Sequence, residues 1–416
     1  MYLIYSLLYT IAILILFIPQ YLKRPKELRK RWAGEKLGYL PEIGHAIWIH
    51  AVSVGEVNAS IPFIKKLKEQ YPGVPVVLST ITDTGQMVAA EKAPGGTKVI
   101  YLPFDLKFVL ERCLKRINPR IFVVIETELW PNIFRVMADK GVPVIVLNGR
   151  ISEKSSRGYR KLSFFMKRVF SYVRVFGMQS RVDADRLKNI GADEKKILVL
   201  GNFKFDMNIQ RKILPWAEDI KGRVIVAGST HSGEEEIIIS ACRDNLERFP
   251  ELKLILAPRH PERFKEVEAL LGSQNISFVK RSELGDLKRQ GLDPKVWVIL
   301  LDSIGELSSV YGIADIAVMG KSFAGFGGQN PLEPAYWGKP IICGTHMENF
   351  SFINDFYREG AAFEVDAAAL AKKIRELLVS PEKAEYAGEK AKALYVRNSG
   401  AVDRAVDVVK EYINTT

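Results

Sequence analysis

The stretch Gly320-Lys-Ser-Phe-Ala-Gly-Phe-Gly-Gly-Gln-Asn-Pro-Leu-Glu-Pro-Ala-Tyr-Trp-Gly-Lys-Pro340 follows an apolar run, Ile313 to Met319. An apolar run of that length, bounded by glycine, reads as a parallel strand buried on both faces. Gly320, Gly325, Gly327 and Gly328 allow sharp turns and a close approach of backbone to ligand. Asn330 suits a helix N-cap and Pro331 a first helical residue. The amides left free at such a start attract an anion, and Glu333 in the first turn can accept hydrogen bonds from a ribose diol. Phosphate on amides and sugar on Glu333 describes a nucleotide. A glycine-rich turn with an acid placed for the helix dipole is the other reading.

The same strand–loop–helix rhythm runs through the chain of 416 residues, long enough for two domains. Expected strands are Ala46–Ala51, Val74–Ser79, Lys98–Leu102, Ile121–Ile125, Val142–Leu147 and Val173–Met178. A second series comprises Arg223–Ala227, Leu252–Ala257, Ile276–Val279, Val296–Leu301, Ile313–Met319, Pro340–Cys343 and Ala362–Val365. Strands alternating with amphipathic helices predict an α/β fold: two Rossmann-like, doubly wound parallel-sheet domains facing a cleft. The expected division is an anchor at 1–22, a first domain at 23–205, a linker at 206–221, a second domain at 222–395 and a C-terminal helix at 396–416.

No charged side chain occurs in residues 1–22, and Lys23, Arg24, Lys26, Arg29, Lys30 and Arg31 follow directly. About 20 apolar residues in a helix span a bilayer core, and the trailing cations predict a single anchor with the remainder in the cytoplasm. A hydrophobic helix lying on the membrane is the alternative. The formal charge of +12 calls for an anionic partner. Beside a membrane segment, anionic lipid and phosphorylated substrates fit, and nucleic acid is not an expected partner. Cys113, Cys242 and Cys343 are far apart, and the histidines do not cluster, so neither a metal nor a cofactor is expected. Arg150 to Arg174 interleaves Lys154, Arg157, Arg160, Lys161, Lys167 and Arg168 with Tyr159, Phe164, Phe165, Met166 and Phe170. It reads as a basic amphipathic helix for a membrane surface, or as one buried on its apolar face.

Candidate chemistry collects at strand ends. Glu56 follows the first strand and suits a general base, although Ser53-x-x-Glu56 is also a capping box. Glu126 and Glu128, at i and i+2, share one side of an extended chain and either hold a sugar hydroxyl or open the next helix. Arg150 lies in another strand-end loop. In the second half, Ser232-x-x-Glu235 supplies a cap and leaves Gly228, Ser229 and Thr230 to face a phosphate, with His231 adjoining. Arg259 and His260 end the next strand. Ser303-x-x-Glu306 repeats the capping logic, and Lys204 closes the first domain.

Taken in order, several motifs resemble one family. They are the hydrophobic N-terminus, His50-Ala-Val-Ser-Val-Gly-Glu56, Glu128-Leu-Trp-Pro131, Gly201-Asn-Phe-Lys204, Ala227-Gly-Ser-Thr-His231, Pro258-Arg-His260 and Gly327-Gly-Gln-Asn-Pro-Leu-Glu-Pro334. The chain resembles the Kdo transferases, 3-deoxy-D-manno-octulosonic acid transferases of lipopolysaccharide biosynthesis. The resemblance implies a GT-B glycosyltransferase in the cell inner membrane. Such an enzyme moves Kdo from CMP-Kdo to the lipid A precursor, lipid IVA, with inversion. It implies Glu56 as the base and Glu126, Glu128 and Arg150 on the acceptor side. Lys204, Gly228, Ser229, Thr230, His231, Arg259, His260, Lys321, Gly327, Gly328, Asn330 and Glu333 fall to the donor. Any of Arg259, His260, Lys321 or Lys204 suits the Kdo carboxylate. A lipid A disaccharide synthase-like transferase, a sugar-nucleotide epimerase and a non-catalytic membrane protein binding nucleotide or lipid are the competing classes.

Overall fold

In a computed structural model, which describes residues 1–207, 209, 211–218, 220–284 and 292–413, the apolar runs become parallel strands, seven to a sheet in each half. Contacts divide the chain into Met1–Met207 with Asn398–Thr416, and Asn208–Arg397.

Unit 1 holds β1 (Ile47–His50), β2 (Val76–Thr80), β3 (Lys98–Tyr101), β4 (Ile121–Ile125), β5 (Val144–Gly149), β6 (Val173–Met178) and β7 (Ile197–Val199), in the order β3-β2-β1-β4-β5-β6-β7. Its helices are α1 (Tyr2–Lys23), α2 (Lys26–Lys36), α3 (Val54–Gln70), α4 (Asp83–Lys92), α5 (Lys107–Ile117), α6 (Pro131–Asp139), α7 (Glu153–Lys161), α8 (Ser163–Ser171) and α9 (Arg181–Ile190). Unit 2 holds α10 (Pro215–Glu218), β8 (Val224–Thr230), α11 (Glu235–Leu246), β9 (Lys253–Pro258), α12 (Phe264–Ser273), β10 (Phe278–Lys280), β11 (Val298–Leu300), α13 (Leu307–Val310), β12 (Ile316–Met319), α14 (Leu332–Tyr336), β13 (Ile341–Cys343), α15 (Ile353–Arg358), β14 (Ala362–Glu364), α16 (Leu370–Val379) and α17 (Pro381–Asn398). Its sheet runs β10-β11-β9-β8-β12-β13-β14. The last helix, α18 (Ala401–Ile413), returns to unit 1 and packs with α3, so the C-terminal helix is not a separate element.

Side-chain alternation sorts the strands into two buried faces. Trp48, Phe122, Val124 and Val146 meet α5, α6 and α8, while Ile47, Ile49, Val123, Ile125 and Leu147 meet α3 and α18. In each unit the first strand is central and the chain later crosses to its other side, between β1 and β4 and between β8 and β12. These are the switch points where doubly wound sheets offer ligands a crevice. The unexpected strand, β7, is a three-residue edge with half-exposed to exposed side chains, too short to mark itself by hydrophobicity.

The N-terminal apolar run does not stand apart. α1 is, among the described residues, the one helix long and apolar enough to cross a membrane. Tyr2, Tyr5, Tyr9, Ile13, Phe17 and Tyr21 recur at helical spacing and pack on unit 1, Phe17 against Trp32 at 5.3 Å. Leu3, Leu7, Leu14, Ile15 and Ile18 face outward, Leu3 87% exposed. The expected single basic helix at Arg150–Arg174 is two short helices, α7 and α8. Phe165, Met166, Val169 and Phe170 enter the core, and Leu162 and Phe164 stay exposed among Arg160, Lys161, Lys167 and Arg168.

Two glycines expected near ligand instead let protein meet protein. A Cβ on Gly320 would lie 2.2 Å from the Ser229 carbonyl oxygen, and one on Gly228 1.7 Å from the Tyr311 hydroxyl. Tyr311 is itself buried. Gly228→Ala is therefore expected to destabilise unit 2 by about 1–3 kcal/mol, the usual cost of overpacking. A denaturation curve with a wild-type midpoint would show that Tyr311 yields without cost.

Candidate active site

Unit 1 gathers three carboxyls at its switch point. Glu56 is the third residue of α3, just past β1, and is 8% exposed. Neither bond of the expected capping box forms. Ser53 occupies the cap position, but its hydroxyl donates to Glu56 Oε1 at 2.9 Å rather than accepting from the helix. Oε2 accepts the Val52 amide at 2.7 Å. Burial, with Glu126 and Glu128 nearby, pushes the Glu56 carboxyl up to about 7 against those two hydrogen bonds. A carboxyl poised there both takes and returns a proton near neutral pH.

Glu126 ends β4, but not in extended conformation. Its φ is +60°, so the expected same-side geometry of Glu126 and Glu128 gives way to a turn. Burial raises both carboxyls. Lys204 and Arg150 oppose the shift at Glu126, whereas Glu126 itself reinforces it at Glu128. Burial lowers Lys204, with Glu126 opposing and Arg150 adding to the shift. Arg150 lies in the loop at the end of β5, a strand that takes in Asn148 and Gly149, and its amide donates to Thr127 Oγ1 at 2.9 Å. Lys204, expected with the donor residues, thus belongs to the carboxyl group of unit 1.

Unit 2 presents basic side chains at its own switch point. His231 and His260, past β8 and β9, have ring centroids 5.4 Å apart. Burial lowers His231, helped by Lys321, His260 and Arg263 against Glu234. Glu333 is pushed up to about 7 by burial, opposed by Arg259.

The expected phosphate cradle of amides is largely occupied by the protein itself. Ser232 does not cap α11. Glu234, fully buried, turns back and accepts the amides of His231 at 3.0 Å, Lys321 at 2.6 Å, Ser322 at 2.8 Å and Phe323 at 2.9 Å. Thr230 is buried, and its hydroxyl binds Glu235 rather than facing outward. The Gly327 amide meets Glu348 at 2.7 Å, and the Gly328 amide meets the Lys321 carbonyl at 3.0 Å. α14 begins at Leu332, one residue later than expected, with Pro331 in the cap position. Asn330 Oδ1 accepts the Leu332 amide at 3.2 Å. Glu306 likewise precedes α13, bonding Ser303 and Arg281 instead of closing a box. Of the expected donor groups, His231, Arg259, His260, Lys321 and Glu333 carry ionisable side chains at this edge, and Ser229 is half-buried beside them.

The sequence reading missed what holds these loops. Glu126, Asn148, Ser229 and Lys321 all have left-handed backbone, with φ of +60°, +55°, +58° and +56°. Such conformations cluster where a site over-determines its backbone. Only Asn148, an asparagine before glycine, advertised itself.

Residues 27–207 match the family described as 3-deoxy-D-manno-octulosonic-acid transferase (kdotransferase), and residues 185–394 match glycosyl transferases group 1. The 3-deoxy-D-manno-octulosonic acid transferase of Haemophilus influenzae is 36% identical over 380 residues, 88% of this chain and 87% of that protein. That of Bordetella pertussis is 31% identical, over 88% and 87%, and that of Aquifex aeolicus 32%, over 80% and 86%. A solved glycosyltransferase from Rickettsia africae, 17% identical, superposes with a TM-score of 0.55 over 90% of this chain and 100% of that one, a likeness of fold. Two seven-stranded doubly wound sheets, this superposition and the identity along both chains lead to one assignment: the chain belongs to the 3-deoxy-D-manno-octulosonic acid transferases and is a glycosyltransferase of the GT-B fold.

Proposed function

We propose that the chain transfers Kdo from CMP-Kdo to the phosphorylated lipid A precursor, lipid IVA, inverting the anomeric carbon. The observation that carries this reading is the Glu56 carboxyl, buried at the switch point and pushed up to about 7. A glucosamine hydroxyl loses its proton to Glu56 as its oxygen bonds the anomeric carbon. The bond from that carbon to the phosphate oxygen breaks, and CMP leaves with the electron pair. His231, Arg259, His260 and Lys321 are the groups we assign to the phosphate and to the Kdo carboxylate, in place of the amides that Glu234 occupies. Glu333 receives the ribose hydroxyls. Glu126, Glu128 and Arg150 orient the acceptor, and Lys204 balances Glu126.

The acceptor's acyl chains stay in the bilayer, and α1 supplies the matching surface. Its inner stripe is bound to unit 1 along its length, which supports a helix lying in the cytoplasmic leaflet of the inner membrane rather than crossing it. Leu162 and Phe164, with their neighbouring cations, extend that contact toward anionic lipid headgroups.

Glu56→Gln keeps the hydrogen bond from Ser53 or Val52 and removes the proton acceptor. It is expected to fold, to bind CMP-Kdo and to transfer Kdo at least about 100-fold more slowly. The base works deprotonated, so wild-type kcat/KM should rise with pH through about 7, following Glu56. A wild-type rate for Glu56→Gln, assayed by mass spectrometry of the lipid product, would move the base elsewhere.

Glu333→Ala should raise KM for CMP-Kdo more than it lowers kcat. Loss of a charge-assisted hydrogen bond worth roughly 1.5–3 kcal/mol weakens ground and transition states alike. Because Glu333 holds its proton up to about pH 7, donor affinity should fall as pH drops through that value. Titration calorimetry with unchanged affinity in a folded Glu333→Ala protein would remove this residue from the donor site.

A further inference from the structure

We infer that α1 is a positioning element of the acid site as well as a membrane contact: its inner face, with Arg24 just past its end, fixes both backbone segments that carry the unit 1 carboxyls. The inference rests on the functional reading above for its kinetic meaning, and on hydrogen bonds for its substance.

The first connection runs to Glu126 and Glu128. The segment Glu126–Trp130 joins β4 to α6, and its first amide is held in the sheet, Glu126 to the Leu147 carbonyl at 2.8 Å. Its far end depends on how α6 begins. The cap position there is Trp130, whose side chain makes no cap hydrogen bond. The second and third helical amides go instead to Asp105, 27 and 28 residues earlier: Asn132 to Oδ2 at 3.1 Å and Ile133 to Oδ1 at 2.7 Å. Asp105 is 1% exposed, and the further hydrogen bond to its carboxyl comes from α1, where the Tyr5 hydroxyl donates to Oδ2 at 2.7 Å. One residue on, Ser6 Oγ accepts from Asn132 Nδ2 at 2.9 Å. One turn on, the Tyr9 ring lies 6.5 Å from that of Trp130. Two turns of the membrane-facing helix therefore secure the start of α6.

The second connection runs to Glu56. Just past the C-terminal end of α1, Arg24 Nε donates to Asp83 Oδ1 at 2.9 Å, its guanidinium 4.1 Å over Trp32. Asp83 is the first residue of α4, and Tyr101 adds a hydrogen bond to the same oxygen at 2.9 Å. The residue before it, Thr82, donates its hydroxyl to the Val52 carbonyl at 3.2 Å, and the Ile81 and Thr82 amides point there at 3.4 Å. The amide of Val52 is the one that holds Glu56 Oε2. Arg24 thus braces, through α4, the carbonyl of the residue whose amide orients Glu56.

Tyr5, Asp105, Arg24 and Asp83 are positioning residues, because none carries the reacting proton. In detergent micelles, Tyr5→Phe and Arg24→Gln are each expected to lower kcat about 10-fold or more with KM for CMP-Kdo unchanged, since small misplacements of a catalytic group act on the chemical step. Hydrogen exchange should accelerate at Asn132 and Ile133 in Tyr5→Phe, and at Glu56 and its neighbours in Arg24→Gln. Leu8→Ser and Ile15→Ser, on the outward face, should instead raise KM for the lipid acceptor without lowering kcat. Wild-type kcat and wild-type exchange in both folded variants, Tyr5→Phe and Arg24→Gln, would overturn the inference. Absence of any CMP-Kdo turnover by the wild-type chain would overturn the functional reading instead, and the exchange rates, which need no substrate, would still decide the coupling.

Discussion

Amides at the ends of parallel strands lose their ladder partners, and each one buried without a replacement costs about 1–3 kcal/mol. In this protein buried carboxylates from distant segments supply the replacement. Glu234 takes five amides around the glycine-rich loop, four of them 87 to 90 residues away. Asp105 takes two at the start of α6, and Asp183 takes the Ile151 amide past β5. The loops that carry the candidate site owe their shape to these bonds. The left-handed residues at their bases persist because the same bonds over-determine them.

The two units share a doubly wound plan with a central first strand, although β11 inserts between β10 and β9 in unit 2, and they differ in the side chains gathered at the switch point. In unit 1 the switch point collects Glu56, Glu126 and Glu128; in unit 2 it collects His231, His260, Arg259 and Lys321 around a single raised carboxyl. That division matches the roles proposed for the two halves: a carboxyl that resists ionisation for acid–base chemistry, and Arg259 and Lys321 for an anionic donor. It also touches stability. Glu56 and Glu333 hold protons to about 7 in the fold, whereas an unfolded chain releases them near 4.5. Their protonation favours the fold fully below the unfolded value, and that contribution fades as pH rises through about 7.

Thirteen of the fourteen strands are legible in the sequence because parallel strands buried on both faces read as unbroken apolar runs. Ile197–Val199 escapes as a short edge. Glu56, Glu126 and Glu128 are legible as acids at strand ends, since strand ends are where this architecture keeps polar groups. The caps are not. Ser53–Glu56, Ser232–Glu235 and Ser303–Glu306 all carry the local signature, yet the bonds that form involve Val52, Glu234 and Arg281. A local pattern cannot foresee a partner decided by tertiary packing. The helix α1 shows the same limit: its apolarity was plain, while the aromatic stripe from Tyr2 to Tyr21 that binds it to unit 1 lay hidden among equally apolar neighbours.

The path of the chain through the two units bears on its synthesis. Unit 2 is one continuous segment, Asn208–Arg397, whereas unit 1 is interrupted and completed only by α18. Asp206, the last acid before the chain leaves, accepts the Gly400 amide at 2.5 Å and the Val402 amide at 2.6 Å, and so seats α18 when the chain returns. Ala401, Val402, Ala405 and Val409 then fill the face shared with α3, the helix that bears Glu56. On the ribosome α1 emerges before the rest of unit 1, but that unit stays open on one side until α18 has been made. The helix proposed to meet lipid is therefore made well before the proposed base, Glu56, is enclosed.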